Sequence, residues 1–225
     1  MCFSTAASFA SGAILTVIGV VAIKKVTYKK QILFASIPFV FAVQQFAEGF
    51  VWLSLLNDTS YFWRQSATYS FLFFALIIWP SWVPLSMLLM EKKPKRKIVL
   101  SVFFGLGLLF SILSVIDLLL HHTEAQLTAY HIHYKIYIPQ NLKIIIGILY
   151  FIPTVVSNFV SSTKCAVLMG VFVLLSYIVS RLFFNDYVIS VWCFFSALIS
   201  IKIYFIVAKD HFVTTKDNFT KQIHY

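Results

Sequence analysis

The sequence predicts an all-α fold, a polytopic bundle of seven transmembrane helices. Of 225 residues, 60% are hydrophobic and only 12% charged, at a mean hydropathy of +0.87. The apolar residues also come in runs of roughly 20, the length that crosses ~30 Å of hydrocarbon as helix, with short charged or turn-forming stretches between. A soluble domain carries roughly 45–50% apolar and ~25% charged residues, so this chain lacks the polar surface to face water. That excludes a soluble enzyme, a disordered segment, a coiled coil and a small disulfide scaffold. The formal charge of +10 does not point to nucleic acid. Its basic residues sit between apolar runs, where they set topology and meet anionic headgroups. The lipid bilayer is the expected partner; oligomeric state is not legible.

The windows are 4–23, 32–56, 66–90, 98–120, 142–160, 165–183 and 187–208, with a tail at 209–225. None shows the period-2 alternation of a strand. In the first, no basic residue precedes the apolar run and Lys24 and Lys25 follow it, so it reads as a retained helix rather than a cleaved signal. Its stripe Ser4, Ser8, Gly12 and Thr16 allows close backbone approach in lipid and places this helix inside the bundle. In the second, Gln44, Gln45, Glu48 and Trp52 share one face through i+3 and i+4 spacing. Pro80 and Pro84 in the third and Pro153 in the fifth predict kinks. Tyr61, Trp63 and the tyrosines of 121–143 read as interfacial anchors. No internal repeat suggests an inverted-repeat transporter.

Loop charge gives each end of the bundle a side. Lys24, Lys25, Lys29, Lys30, Lys92, Lys93, Lys95, Arg96, Lys97, Lys164, Lys209, Lys216 and Lys221 fall on one side, whereas Arg64, Lys135, Lys143 and Arg181 fall on the other. The positive-inside rule then sets the N-terminus outside and the C-terminus in the cytoplasm, in a bacterial inner membrane. The scarce polar residues follow. Glu48 lies about 12 Å below the outer face at 1.5 Å per residue; Asp117 and Arg181 stand near outer helix ends, and Cys2 and Cys193 are on the same side. Ionisable side chains in lipid face partners or water, so two readings of Glu48 stay open. It is either the wall of a polar pocket or an inter-helix hydrogen-bond clamp, with Arg181 the first partner to test. Asp117 reads as a solvated helix end.

Cys2 and Cys193 are unlinked, bonded to each other, or available for thiol or metal chemistry; Cys165 lies at the opposite end. His121, His122, His131 and His133 form no established zinc spacing. In a strand-like loop His131 and His133 would point the same way, which makes them weak metal candidates. No cofactor is named by the residues.

Four stretches carry a resemblance. They are Met1-Cys2-Phe3-Ser4 continued by Ala6-Ala7-Ser8-Phe9, Gln44-Gln45-Phe46-Ala47-Glu48-Gly49 with Trp52, Trp79-Pro80-Ser81-Trp82-Val83-Pro84, and Trp192-Cys193. Together they resemble a family of uncharacterised bacterial membrane proteins that open on an MCFS signature. The resemblance implies a multi-helix inner-membrane protein and carries no activity with it. The expectation is a ligand-binding or sensing bundle with an outward-facing polar pocket, floored by the Trp79–Pro84 run and walled by the first, second and seventh helices. The ligand would be a small molecule or lipid. A thiol- or metal-dependent membrane enzyme is the alternative, and a small-solute transporter is less favoured because few polar residues continue to the cytoplasmic side.

Overall fold

The computed structural model describes residues 4–57, 59–128, 131–183 and 187–223, with the side chains of 164–165 and 209–223 outside that description. Among the described residues, seven helices are long and apolar enough to cross a membrane. They are α1 (Thr5–Lys24), α2 (Lys29–Leu56), α3 (Tyr61–Met90), α4 (Pro94–Leu120), α5 (Lys143–Val160), α6 (Lys164–Phe183) and α7 (Val188–Ile223). Their positions match the seven apolar windows. The last differs from expectation, since α7 does not stop at the membrane exit but runs on as helix through the predicted tail.

Contacts sort the connections into two ends. At one end Lys25 Nζ meets the Tyr204 hydroxyl at 3.2 Å, and Arg96 donates to the Val160 carbonyl at 3.1 Å. This lysine-rich end therefore joins the α1–α2 connection, the start of α4, the end of α5 and the α7 exit. At the opposite end the long α4–α5 connection folds into a hairpin, β1 (Glu124–Thr128) and β2 (His131–Lys135), antiparallel with Ala125 opposite Tyr134 and Leu127 opposite Ile132. Ala125, Ile132 and Tyr134 are buried against Trp52, Phe71, Leu72 and Cys193, and Tyr134 stacks on Phe71 at 4.7 Å between ring centroids. One apolar strand face thus caps the bundle.

The small-residue stripe of α1 works against one neighbour. An added Cβ at Gly19 would lie 2.5 Å from the Phe39 backbone nitrogen, and Gly12 and Gly49 receive the rings of Phe46 and Phe9. The opposite face, with Ile14 56% and Val17 64% exposed, has none of the described residues over it. α1 is therefore at the edge of the bundle, packed on α2 and α7, and not in the interior as its stripe suggested. Small residues fix how close one helix comes; they do not fix how many helices surround it.

The prolines act as expected and leave a longer signature. In α3 the backbone widens to a π-helical stretch at Phe73–Ile78, just before Pro80. α5 does the same at Ile152–Val156, around Pro153. In π register the Ala75 carbonyl would accept from the N–H of residue 80, which proline lacks. The Tyr150 hydroxyl of α5 supplies that donor at 2.9 Å. Ser111 of α4 donates to the loosened Ile77 carbonyl at 2.8 Å, and Ser81 also reaches Ile77 at 3.1 Å. Pro84 likewise has no N–H for the Pro80 carbonyl, and that oxygen lies against Gly107, where any Cβ would overlap it. Two of the carbonyls loosened in α3, Ala75 and Ile77, thus receive hydroxyl donors from neighbouring helices, as a water-free interior demands.

Candidate functional site

Two features meet at the α2–α7 contact: a closed polar ladder and an apolar cleft. The ladder begins with Glu48, which is fully buried. Its Oε1 accepts from Ser190 Oγ of α7 and its Oε2 from Gln45 Nε2 at 3.5 Å. Gln45 Oε1 in turn accepts from Ser11 of α1 at 3.1 Å. One helical turn away from Glu48, Gln44 Oε1 accepts from Trp79 Nε1 of α3 at 2.6 Å. The face Gln44, Gln45, Glu48 therefore joins α2 to α1, α3 and α7. This is the clamp arrangement, and the partners of Glu48 are Ser190 and Gln45, not Arg181, which is exposed near the hairpin end of α6.

The cleft is separate from Glu48. A half-open space of about 60 Å³ lies between five helices. α2 lines it with Phe34, Ile37 and Phe41, and α3 with Trp79, Val83 and Met87. Tyr150, Thr154 and Asn158 come from α5, Met169 and Val173 from α6, and Trp192, Cys193 and Ser196 from α7. Within α2, α3, α5 and α6 the lining residues recur at three or four, one helix face apiece, and on α7 the adjacent Trp192 and Cys193 both reach it with Ser196. Phe41 stacks on Trp79 at 3.8 Å and Trp192 lies edge-on to Tyr177 at 5.0 Å, so aromatic walls hold the space open. Met87 is three residues from the lysine-rich end of α3, only ~4.5 Å along the helix. The cleft therefore runs through the middle of the bundle towards that end, while the hairpin covers the other. The expected pocket differs in three ways: α1 takes no part in the walls, Glu48 does not line it, and the lining is mostly apolar. The polar face of α2 is consumed by its own helix contacts, which is why it opens onto no cavity.

A model of a family of unknown function, DUF6629, matches residues 1–218. The chain belongs to the DUF6629 family. That agrees with the resemblance to an uncharacterised family read from the MCFS opening and the later stretches. Comparison with curated proteins and with solved structures returns no match.

In this DUF6629 chain the remaining sequence candidates are placed as follows. Trp79, Trp192 and Cys193 line the cleft. Trp82 is half-buried and donates to the Leu33 carbonyl at 3.2 Å. Trp52 is buried under the hairpin. Asp117 pairs with His121 at 2.8 Å, both partly exposed. Cys193 is a buried free thiol; Cys2, its suggested partner, lies outside the described residues, as does the Cys165 side chain. His131 and His133 share the hairpin face away from the bundle, against the Tyr187 ring at 4.7 and 6.1 Å. Burial pushes His131 below the usual imidazole value. Among the described residues, no group of three or more His, Cys, Asp or Glu gathers as a metal site.

Sequence reasoning missed two things. Tyr150, Thr154 and Asn158 recur every fourth residue, a legible polar stripe on α5 that went unread. Glu91, at the lysine-rich end, is 2% exposed. It accepts from the backbone N–H groups of Lys92 at 2.8 Å and Lys93 at 2.9 Å. From the α5–α6 turn it accepts Ser162 N–H at 2.6 Å and the Ser162 hydroxyl at 2.8 Å. Burial alone would raise this carboxyl, but the Lys93, Ser162 and Lys92 donors outweigh it and hold it down at about 2. An acid next to five basic residues reads as surface charge in a sequence; only the fold reveals it as a staple between two turns.

Proposed function

We infer that the protein is a ligand-binding or sensing bundle of a bacterial inner membrane, its lysine-rich end in the cytoplasm. The ligand is a small molecule or lipid-like compound, taken into the cleft between α2, α3, α5, α6 and α7. The observation that carries this reading is the cleft itself: a half-open space of about 60 Å³ walled by stacked aromatic rings. Well-packed interiors hold few voids larger than a water molecule. An apolar space inside a membrane bundle is filled most favourably by apolar atoms. At ~10–15 Å³ per water-sized group, the cleft takes roughly four to six heavy atoms, and a longer body extends out through its open side.

Native mass spectrometry of protein released from lipid nanodiscs tests this. A bound apolar species is expected on the wild type and is lost in Val173→Phe, which places a ring in the cleft. Equal spectra for both, without adduct, contradict the reading. The thiol-dependent enzyme alternative has Cys193 facing the same cleft as its support. Cys193→Ser separates the two, because binding survives it and thiol chemistry does not.

A further inference from the structure

Resting on the cleft-binding reading, we propose that the ligand is an uncharged alcohol whose hydroxyl docks between Asn158 of α5 and Ser196 of α7. Both residues line the cleft, and both are more than nine-tenths buried, at 4% and 8% exposure. Asn158 spends its Nδ2 on the Thr154 and Val155 carbonyls of its own helix, at 3.0 and 3.2 Å. Two carbonyls at that end fix it as the nitrogen of the amide. The end left over is Oδ1, an acceptor that no donor reaches among the described residues and that meets the open space of the cleft. A buried amide oxygen without a donor is costly. Ser196 is the complementary case. Ser200, one turn on, returns its hydroxyl to the Ala197 carbonyl at 2.6 Å, and Ser176 does the same with Val173 at 2.7 Å, a common outlet for helix serines. The Ser196 hydroxyl makes no such bond among the described residues and faces the cleft.

The two residues stand at one level of the bundle. Trp192 Nε1 of α7 donates to the Val173 carbonyl of α6 at 3.3 Å, and these two helices run in opposite directions. One turn further along α7, Ser196 therefore comes level with Met169 of α6. Gly170, next to it, packs on the Asn158 side chain, since a Cβ added there would lie 2.8 Å from Asn158 Cβ. A hydroxyl at this level donates to Oδ1 and accepts from Ser196, so it completes both groups. A ketone, ester or ether completes Ser196 alone, and an alkane completes neither. The other oxygen and nitrogen donors of the lining are spent: Trp79 on Gln44, Trp192 on Val173, Tyr150 on Ala75 and Thr154 on Tyr150. No Lys, Arg, Asp, Glu or His lines the cleft among the described residues, so a carboxylate or ammonium headgroup would enter without a counter-charge. Asn158 is two residues from Val160, the lysine-rich end of α5, ~3 Å along the helix. The hydroxyl thus sits near the mouth, and the carbons run inward against the Phe41–Trp79 stack.

The test is competition for the cleft against 1-bromodecane, read as relief of its quenching of tryptophan fluorescence in nanodisc-embedded protein at pH 7. The competitors are 1-decanol, 1-methoxydecane (an ether oxygen without the O–H), decane and decylammonium, compared at equal mole fraction in the bilayer. In the wild type 1-decanol is expected to compete on the order of fivefold more tightly than 1-methoxydecane, the worth of one hydrogen bond, with decylammonium the weakest of the four. Asn158→Leu keeps the branched shape and is expected to bring the alcohol down to the ether. Ser196→Ala is expected to weaken alcohol and ether alike. The alcohol–ether contrast needs only the wild type, so it decides the matter even where a variant fails to fold. Equal competition by alcohol and ether in the wild type, an alcohol preference that survives Asn158→Leu, or decylammonium ahead of 1-decanol overturns the hydroxyl assignment while leaving cleft binding intact. Quenching by 1-bromodecane that never saturates overturns the cleft-binding reading itself.

Discussion

At the residue scale, Glu91 and Gly107 show how single side chains hold this bundle. The Glu91 carboxyl sits at about 2, against an ordinary 4.5, because four donors serve its charged form. A carboxyl lowered in the folded state stabilises it fully above the ordinary value, and that contribution fades as pH falls through the lowered one. Thermal stability in detergent is therefore expected to stay level above pH 5 on this account and to decline between pH 4.5 and 2. Glu91→Gln should cost about 1.5–3 kcal/mol at pH 7, as for hydrogen bonds to a charged group, and should flatten the acid decline. A variant with the wild-type acid profile would remove Glu91 from its role as staple. Gly107 makes the complementary point. A methyl there meets the Pro80 carbonyl, whereas Gly105, two residues away, has nothing within 4 Å. Gly107→Ala should lower stability by about 1–3 kcal/mol through overpacking; Gly105→Ala should be neutral or raise it by up to ~1 kcal/mol through helix propensity. Urea or thermal titration of the pair checks the contrast.

At the element scale, the prolines were legible in the sequence and their consequences were not. Pro80, Pro84 and Pro153 announce broken ladders, but which carbonyls come free depends on the π register of α3, and which groups cover them depends on α4 and α5 being adjacent. Tyr150→Phe removes the hydroxyl that replaces the missing Pro80 N–H and leaves the Ala75 carbonyl without that donor in the bundle interior. The expected loss is about 1–3 kcal/mol, measured as a lower melting temperature with an unchanged helical circular-dichroism signal. An unchanged melting temperature would mean the carbonyl has another donor. The 121–143 connection was the least legible element. Its histidines are conspicuous in the sequence, yet the residues that organise it are Ala125, Ile132 and Tyr134, whose alternation is short and interrupted by the exposed Leu127. Likewise the α1 stripe disclosed a close contact with α2 but not the lipid-facing side opposite, because small residues report distance and say nothing of neighbours elsewhere.

At the scale of the whole molecule, seven helices could be counted from hydropathy because each crossing imposes its own length on the sequence. The grouping of loops at each end follows from that count and from pairs such as Lys25 with Tyr204. The site was only half legible: Trp79, Trp192 and Cys193 were singled out, but the polar residues of α2 were expected to open onto a pocket and instead close upon one another. A buried carboxyl announces that partners exist; the sequence does not say whether they are ligands or serines. Reporter fusions are expected to place the 92–97 basic cluster in the cytoplasm and the hairpin outside, and a periplasmic signal from that cluster would invert the orientation. Tryptophan fluorescence reads the apolar cleft from within, because Trp79 and Trp192 line it. Titrating nanodisc-embedded protein with 1-bromodecane should give quenching that saturates in the wild type and becomes linear and weak in Val173→Phe. Quenching that is linear and equal in the two proteins would mean that the bromoalkane meets these rings only from the bilayer, and that no cleft takes it up.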